Sequence, residues 1–343
     1  MVLGTLQELP TKRLAQRALE AKLAEINSTS YRPKAVVSYN DFAQRWMKTV
    51  LPQHKPSSQN SEKVHMTKYI MPFFGKMNMG DISTALVQQF ISTLVCRPKT
   101  VRNIYATFRT AWKTAKAWGY VSHNVKEGIV LPRLTPVERP SFTTEQMQQI
   151  ISAAQEPFKT FFLIAAETGL RAGELCGLRV EDFDYANRCL RVRQGVWRGR
   201  LQTPKSASGI RSVEISDTLA EHILRFLAVR SHDASVPFLF ATANGRPWDS
   251  RYVVRDKLQK LLATLGIPKA GLHAFRHGNA TALISEGEDI RTVAARLGHS
   301  DPSITLKVYA HASREHSRKM ANKLGSILIP SCSQVDSQIQ PNV

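Results

Sequence analysis

The stretch 124–142 divides the chain, because it carries three prolines and shows neither a helical nor a strand period. A proline disfavours helix in the residue before it, so this stretch is typical of an extended linker. Residues 37–123 contain several helical stretches and almost no strand-like alternation, whereas both patterns follow the linker. A chain of 343 residues exceeds one usual domain of roughly 100 to 200 residues. Two domains of different class are therefore predicted.

The predicted fold class is mainly α with a small antiparallel β-sheet. Near the N-terminus, residues 11–26 combine strong helix formers with mixed charge, and turn residues follow them. The predicted organisation is an N-terminal helix and linker (1–36), a helical domain (37–123), an interdomain linker (124–142), a second domain (143–324) and a C-terminal tail (325–343).

In the first domain, helices are predicted to start near Ser38 and Ser83, whose side chains can cap a first turn. The clearest helix covers 100–118. At 100° per residue, its apolar side chains fall in one arc of roughly 100°, which predicts a face in the core. The members of this arc are Val101, Ile104, Tyr105, Phe108, Trp112 and Ala115.

In the second domain, Thr143 and Gln146 form a predicted capping box that opens a helix ending near residue 154. A second helix is predicted over 158–168. Gly169 can then turn the chain into a short helix that begins near Arg171.

Strand-like alternation between residues 189 and 216 predicts a small antiparallel sheet, with the letters SASG as one of its turns. Residues 219–324 are predicted to be mostly helical.

The charge of the chain indicates a polyanionic partner. Lys and Arg number 47 against 27 Asp and Glu, for a net charge of +20. Residues 1–140 carry 21 basic and 8 acidic side chains, so the excess is concentrated in the front of the chain. Nucleic acid is the leading candidate, and a solvated basic face without a specific partner is the alternative.

A row of cations lies beside the apolar arc of the 100–118 helix. Its members fall in an adjacent arc of roughly 60°, and no acidic residue interrupts them. Such a row matches a phosphate backbone, although an ordinary solvated face would look the same. The cations are Arg102, Arg109, Lys113 and Lys116.

Several classes of protein are disfavoured. The four cysteines show no paired spacing and no accompanying histidines at metal-ligand intervals, so neither a disulfide framework nor a zinc site is expected. No run approaches the roughly 20 apolar residues of a membrane helix, and the N-terminus lacks the apolar core of a signal peptide. We expect a cytoplasmic protein that does not contact a membrane.

Three separated stretches carry the motifs with chemical meaning. They are TGLRAGEL around Arg171, LHAFRHGNAT around His273 and Arg276, and LGHSDPSITLKVYAH at 297–311, which contains His299 and Tyr309. Together they resemble the tyrosine recombinase, or phage integrase, family. That family has an Arg in a G-x-R-x-x-E-L context, then H-x-x-R, then L-G-H, then a Tyr nine or ten residues later.

The resemblance covers 143–324 firmly, as the family's catalytic domain, and 37–123 loosely, as its helical core-binding domain. It implies a site-specific recombinase that cleaves and rejoins double-stranded DNA through a covalent 3′-phosphotyrosine intermediate, without a cofactor or metal. It also implies a homo-oligomer, tetrameric in the synapse, with DNA-bending accessory proteins as further partners. The implied catalytic residues are Arg171, Lys205, His273, Arg276, His299 and Tyr309.

The chemistry of these side chains agrees with that reading. A tyrosine oxygen that stays bonded to phosphorus conserves the energy of the cleaved phosphodiester. Two guanidinium groups, from Arg171 and Arg276, can bind the two non-bridging oxygens as charge builds on them. Lys205 beside such cations is a reasonable general acid, and His273 a reasonable base. His299 would donate a hydrogen bond to the phosphate or hold the site together.

The motifs also contain competing assignments and departures from the family pattern. Arg211 competes with Lys205 for the acid role, and Tyr252 is the next candidate for the nucleophile. Glu174, one turn after Arg171, is predicted to brace that arginine. Where the family often has Asp, then Thr and an apolar residue, the chain has Ala274, Gly278 and Asn279.

Two other functions use the same residues. One is a type IB topoisomerase-like enzyme that nicks and closes DNA as a monomer, and the other is a DNA-binding regulator that does not cleave. The C-terminal tail distinguishes a recombinase from a monomeric topoisomerase, because recombinases of this family exchange a segment after the tyrosine between protomers. Here the apolar run SILIP at 326–330 could dock on a neighbouring subunit.

Overall fold

The computed structural model describes residues 4–5, 7–26, 37–135, 140–203, 209–230, 235–298, 322 and 324–325. The chain divides into two compact units, Met1–Val137 and Glu138–Val343. This division falls inside the predicted linker, and the finer boundaries of the five predicted parts stay predictions. Mainly helical structure with small antiparallel sheets confirms the predicted fold class.

The described part of the first unit is helical. None of the helices in the described ranges of the chain has the length and apolarity needed to cross a membrane. The α-helices are α1 (Lys12–Ile26), α2 (Tyr39–Thr49), α3 (Pro56–His65), α4 (Met71–Phe74), α5 (Thr84–Thr93) and α6 (Pro98–Ala117), with 3₁₀ turns at Leu51–Gln53 and Met79–Asp81 and a π turn at Met66–Ile70.

Local capping explains where these helices begin. The Ser38 side chain accepts a hydrogen bond from the Asp41 backbone at the start of α2, and Ser83 accepts one from the Leu86 backbone at the start of α5. Both predicted caps are confirmed. Helix α6 begins two residues earlier than predicted, because Pro98 is suited to the first turn of a helix, where its missing N–H is not needed.

Aromatic side chains fill the core of the first unit. The predicted apolar arc of α6 is buried along its whole length, as expected. Its Phe108 stacks on Tyr39 and Phe74, with ring centroids 6.0 and 5.1 Å away. Burial of such large rings is the main stabilising contribution available to a domain of this size.

The second unit combines helices with short strands. Its α-helices are α7 (Thr144–Ala153), α8 (Phe158–Thr168), α9 (Ala172–Gly177), α10 (Asp217–Val229), α11 (Ser250–Tyr252), α12 (Gln259–Thr264), α13 (His273–Ser285) and α14 (Ile290–Leu297), with a 3₁₀ turn at Val180–Asp182 and a π turn at Val253–Leu258. Its strands are β1 (Phe183–Asp184), β2 (Cys189–Val192), β3 (Gly195–Trp197), β4 (Arg200–Gln202) and β5 (Arg211–Glu214).

The strands form a three-stranded antiparallel sheet in the order β1-β2-β5 and a separate hairpin, β3-β4. The β2-β5 pairing places Leu190 opposite Val213 and Val192 opposite Arg211. Antiparallel pairing within 189–216 is confirmed, but the strands before and after SASG, β4 and β5, belong to different sheets, so the prediction of a single sheet is wrong. Most of SASG itself lies outside the described residues.

The described residues after 219 are mostly helical, as predicted, with one interruption between α10 and α11. The described residues 235–249 form no helix, because Pro237, Gly245 and Pro247 break the pattern. Their apolar members, including Phe240, pack into the core of the second unit instead.

The capping box predicted for α7 is confirmed, since Thr143 and Gln146 each bond the other's backbone N–H. The next helix, α8, has the predicted bounds of 158–168. It ends at Gly169, which adopts a left-handed conformation with φ of 60° and leads directly to Arg171.

Candidate active site

Arg171 lies at the N-terminal end of α9, where Glu174 holds it in place. One Glu174 carboxylate oxygen accepts from the Arg171 backbone N–H at 3.0 Å, and the other accepts from Arg171 Nη1 at 2.7 Å. The predicted brace is confirmed. Because the Arg171 side chain keeps 37% of its surface exposed, a ligand in solvent can reach it.

Arg276 lies on α13 and is only 4% exposed. Its Nη1 donates to the carbonyl of Gly169 at 2.8 Å, and its Nη2 donates to the carbonyl of Leu297 at 2.7 Å. The guanidinium therefore joins the turn after α8 to the end of α14. A buried charge of this kind persists only where hydrogen bonds replace its hydration.

Arg211 is a third arginine in the same cluster. It starts β5 on the inward face that it shares with Val213, and its side chain is 9% exposed. Its Nη2 donates to Glu174 Oε2 at 3.1 Å, and its Nε donates to the carbonyl of Arg296 at 2.8 Å. The predicted competitor for the acid role is thus held in an ion pair with Glu174.

The three arginines converge on the C-terminal end of α14. The consecutive carbonyls of Arg296, Leu297 and Gly298 accept from Arg211, Arg276 and Arg171, the last at 2.7 Å. The last carbonyls of a helix have no partner inside it and lie at the negative end of its dipole, so cations are favoured there. The residue that follows is His299.

Gly298 allows this convergence. Its φ is 68°, which favours glycine, and a Cβ atom at this position would lie 2.7 Å from Arg211 Nη1. The glycine of the L-G-H motif thus serves both the helix end and the close approach of an arginine.

The surroundings of Arg276 lower its proton affinity. Burial, with a contribution from Arg171 and Arg211, lowers the pKa of Arg276 to about 9. Burial alone would raise the pKa of Glu174, but Arg211 and Arg171 outweigh it, so that pKa lies below its usual range. The carboxylate is therefore charged, and the three arginines exceed it by two positive charges.

Among the predicted catalytic residues, the structure brings Arg171 and Arg276 together. His273 is the exposed first residue of α13, one turn before Arg276, so the two lie on neighbouring parts of the helix surface. Lys205, His299 and Tyr309 lie outside the described residues. Of these three, His299 directly follows the carbonyls that the arginines bind.

The predicted DNA-binding residues lie in the other unit, along α6. Arg109, Lys113 and Lys116 are exposed, whereas Arg102 is half-buried. Arg102 donates from Nε to the carbonyl of Pro132 at 2.9 Å. Its charge therefore also fixes the segment that follows the helical domain.

Two departures from the family pattern have structural causes. A Cβ atom at Gly278 would lie 2.3 Å from the carbonyl oxygen of Phe142, so this position of α13 excludes larger residues. The Asn279 side-chain amide donates to the carbonyls of Ala166 and Glu167, both at 2.9 Å, and thereby caps the last turn of α8. Asn279 thereby supports the turn that Arg276 binds.

Sequence reasoning named Arg211 only as a competitor of Lys205 and missed its bond to Glu174, and it also missed Asn279 as a cap. A signal for Arg211 was present, because it alternates with Val213 and Ile215, and those apolar residues mark the buried face of a strand. The contacts of Asn279 join residues far apart in the chain, so no local pattern indicated them.

Tyr252, the alternative nucleophile, lies at the other end of α8. Its ring is 6.5 Å from that of Phe158, the first residue of the helix. Arg276 contacts Gly169, which follows the last residue of α8. Eleven residues of helix separate these ends, and at 1.5 Å per residue that is about 16 Å. Tyr252 therefore packs against the first residue of α8, whereas Arg276 binds the turn after its last residue.

Across the described residues, no group of three or more His, Cys, Asp and Glu side chains is arranged to hold a metal ion.

Comparisons with known proteins agree with the geometry. The model of the Phage integrase family matches residues 140–316, and that of the Phage integrase N-terminal SAM-like domain matches residues 38–95. The chain is 28% identical to the XerC-like tyrosine recombinase of Caldanaerobacter subterraneus subsp. tengcongensis, over 93% of this chain and 90% of that protein.

Solved structures share the fold. The Tn1549 transposon integrase in complex with a circular intermediate DNA has a TM-score of 0.68 at 21% identity, over 82% of this chain and 99% of that one. The lambda integrase tetramer bound to a Holliday junction has a TM-score of 0.61 at 17% identity, over 85% of this chain and 88% of that one. More than half of the chain thus matches one family model, and the chain belongs to the phage integrase family of tyrosine recombinases, enzymes of site-specific DNA recombination.

Proposed function

We propose that Tyr309 is the nucleophile of this recombinase and that Arg171 and Arg276 bind the phosphate it attacks. One observation carries the proposal: arginines from two separate motifs meet at the carbonyls directly before His299. Tyr309 follows His299 by ten residues, the spacing of the family motif.

The arginines suit a phosphodiester in transesterification. Arg171 is the more exposed of the two, so its guanidinium can bind a non-bridging oxygen from solvent. Arg276 would donate to the other non-bridging oxygen through N–H groups that its carbonyl bonds leave available. Both are held by carbonyl oxygens before substrate arrives, so little reorganisation is needed when negative charge builds. An excess of two positive charges matches the two non-bridging oxygens of the transition state.

Proton transfer is assigned to Lys205 and His273. Lys205 belongs to the segment between β4 and β5, and the first residue of β5 is Arg211, a member of the cluster. Lys205 then protonates the leaving sugar oxygen, and His273 takes the proton of the Tyr309 hydroxyl. His299 donates a hydrogen bond to the phosphate.

The test is covalent trapping on nicked duplexes drawn from the genome that encodes the chain. Tyr309→Phe should abolish the covalent protein–DNA complex and leave binding nearly unchanged, because it removes the nucleophile and no positive charge. Tyr252→Phe is the matched control and should form the complex at the normal rate. A covalent complex with Tyr309→Phe would refute the assignment.

For assembly, we propose a tetrameric synapse with double-stranded DNA in the cytoplasm, assisted by DNA-bending proteins. The lambda integrase of the same fold is a tetramer on a Holliday junction. The tail 325–343 would dock on a neighbouring subunit through SILIP, which lies outside the described residues. A two-site bridging assay on full-length and shortened chains measures this directly.

The alternatives predicted from the sequence receive less support. A topoisomerase-like enzyme or a non-cleaving regulator could use the same fold. The relative that matches 93% of this chain, however, is named a tyrosine recombinase. Site-specific recombination is the function favoured by the family and by the intact motif arginines.

A further inference from the structure

We infer that Arg211 is a positioning residue for strand cleavage, acting through Glu174 and through the end of α14. This inference rests on the proposed function, since it concerns the same phosphate site. Arg211 is not one of the six residues to which the resemblance gives a catalytic role.

The first argument is geometric. Arg211 joins three separate segments: Nη2 bonds Glu174 on α9, Nε bonds the Arg296 carbonyl at the end of α14, and Nη1 lies 3.4 Å from the Gly209 carbonyl. The first contact helps to position Arg171, because Glu174 also holds that arginine. The second contact fixes the end of α14, and His299 is the residue that follows Gly298 in the chain.

The second argument is electrostatic. Glu174 is divided between two arginines, with Oε1 on Arg171 and Oε2 on Arg211. Without Arg211, the whole negative charge of the carboxylate would act on Arg171 and oppose its attraction for a phosphate. The excess positive charge of the cluster would also fall from two to one.

The third argument concerns the lysine. Arg211 pairs with Val192 across β2 and β5, and its contact with Gly209 lies at the point where the Lys205-bearing segment enters β5. A side chain that is 9% exposed and bonded to a carboxylate and to main-chain oxygens is itself a poor general acid. Arg211 therefore anchors the base of that segment.

The experiment measures the single-turnover rate of covalent complex formation on a nicked duplex at saturating protein, together with DNA affinity and thermal unfolding. Arg211→Gln should slow cleavage by about 10- to 100-fold, less than loss of a direct phosphate donor, with affinity nearly unchanged. Arg211→Lys should recover part of the rate, because its amine can still pair with Glu174.

A double-mutant cycle separates positioning from simple stabilisation. If Arg211 acts through Glu174, Arg211→Gln should cost far less in a Glu174→Gln background than in the normal chain. Rate losses that multiply, or a rate per folded molecule equal to that of the unchanged protein, would overturn the inference.

The matched control is Arg193→Gln, which removes an arginine paired with the buried Asp182 outside the cluster. It should cleave at the normal rate. If the unchanged protein forms no complex through Tyr309, the proposed function fails. If it cleaves normally and Arg211→Gln does too, only the positioning role fails.

Discussion

The cations of the two units differ in their surroundings. In the first unit, Arg109 and Lys113 are exposed on α6. In the second unit, Arg276 and Arg211 are nearly buried and are bonded to main-chain carbonyls or to Glu174. An exposed cation costs the fold almost nothing, whereas a buried one must replace its hydration with fixed hydrogen bonds. Charge alone therefore suffices for the first group, and the second group depends on the shape of the guanidinium.

The largest effect expected from this difference follows Arg276→Lys. The change keeps the charge, but one amine cannot bond the Gly169 and Leu297 carbonyls as the forked guanidinium does. Cleavage should fall on the order of 100- to 1,000-fold, and the free energy of unfolding should fall by about 1 to 3 kcal/mol. Trapping assays and denaturant titration measure the two losses.

The same exchange at Arg97, an exposed arginine of the first unit, should alter neither quantity. Equal behaviour of Arg276→Lys and Arg97→Lys would mean that the buried site needs only a charge. The contrast between the units would then be wrong.

The next effect concerns the backbone that supports Arg276. Gly278→Ala would normally stabilise a helix by up to about 1 kcal/mol. At this position a Cβ atom would meet the Phe142 carbonyl at 2.3 Å, so α13 must shift. We expect a loss of about 1 to 3 kcal/mol in the free energy of unfolding and a fall in cleavage.

Gly271→Ala is the matched control, because a Cβ atom there meets no atom within 4 Å. Its unfolding should stay within about 0.5 kcal/mol of the unchanged chain. A stabilised Gly278→Ala variant would show that the tight contact with residue 142 is not maintained in solution.

The parts of the molecule that could be predicted are those with local causes. The caps at Ser38, Ser83 and Thr143 were predictable because donor and acceptor lie three residues apart. The buried arc of α6 was predictable from its helical period.

The site was predictable in its residues and not in its contacts. Motif spacing indicated Arg171 and Arg276, but their carbonyl partners at Gly298 and Leu297 come from far along the chain. Residue types show what a guanidinium can bind, and only tertiary folding determines which carbonyls reach it. For the same reason the bond from Arg102 to the linker could not be foreseen.

The smallest effect is expected in the first unit, because binding by exposed cations depends on their charge and not on a fixed geometry. Replacing Arg109 and Lys113 with Ala should weaken binding to all DNA sequences alike. It should also reduce the slope of log affinity against log salt concentration (the salt slope) by about one per lost phosphate contact. Cleavage at saturating DNA should not change.

Arg102→Ala offers a contrast within the same row, because the Arg102 guanidinium also donates to the Pro132 carbonyl. It should reduce the salt slope less than Arg109→Ala while lowering the free energy of unfolding by about 1 kcal/mol. Binding isotherms at several salt concentrations decide between them, and an unchanged slope for the Arg109 and Lys113 pair would show that this edge of α6 does not face phosphates.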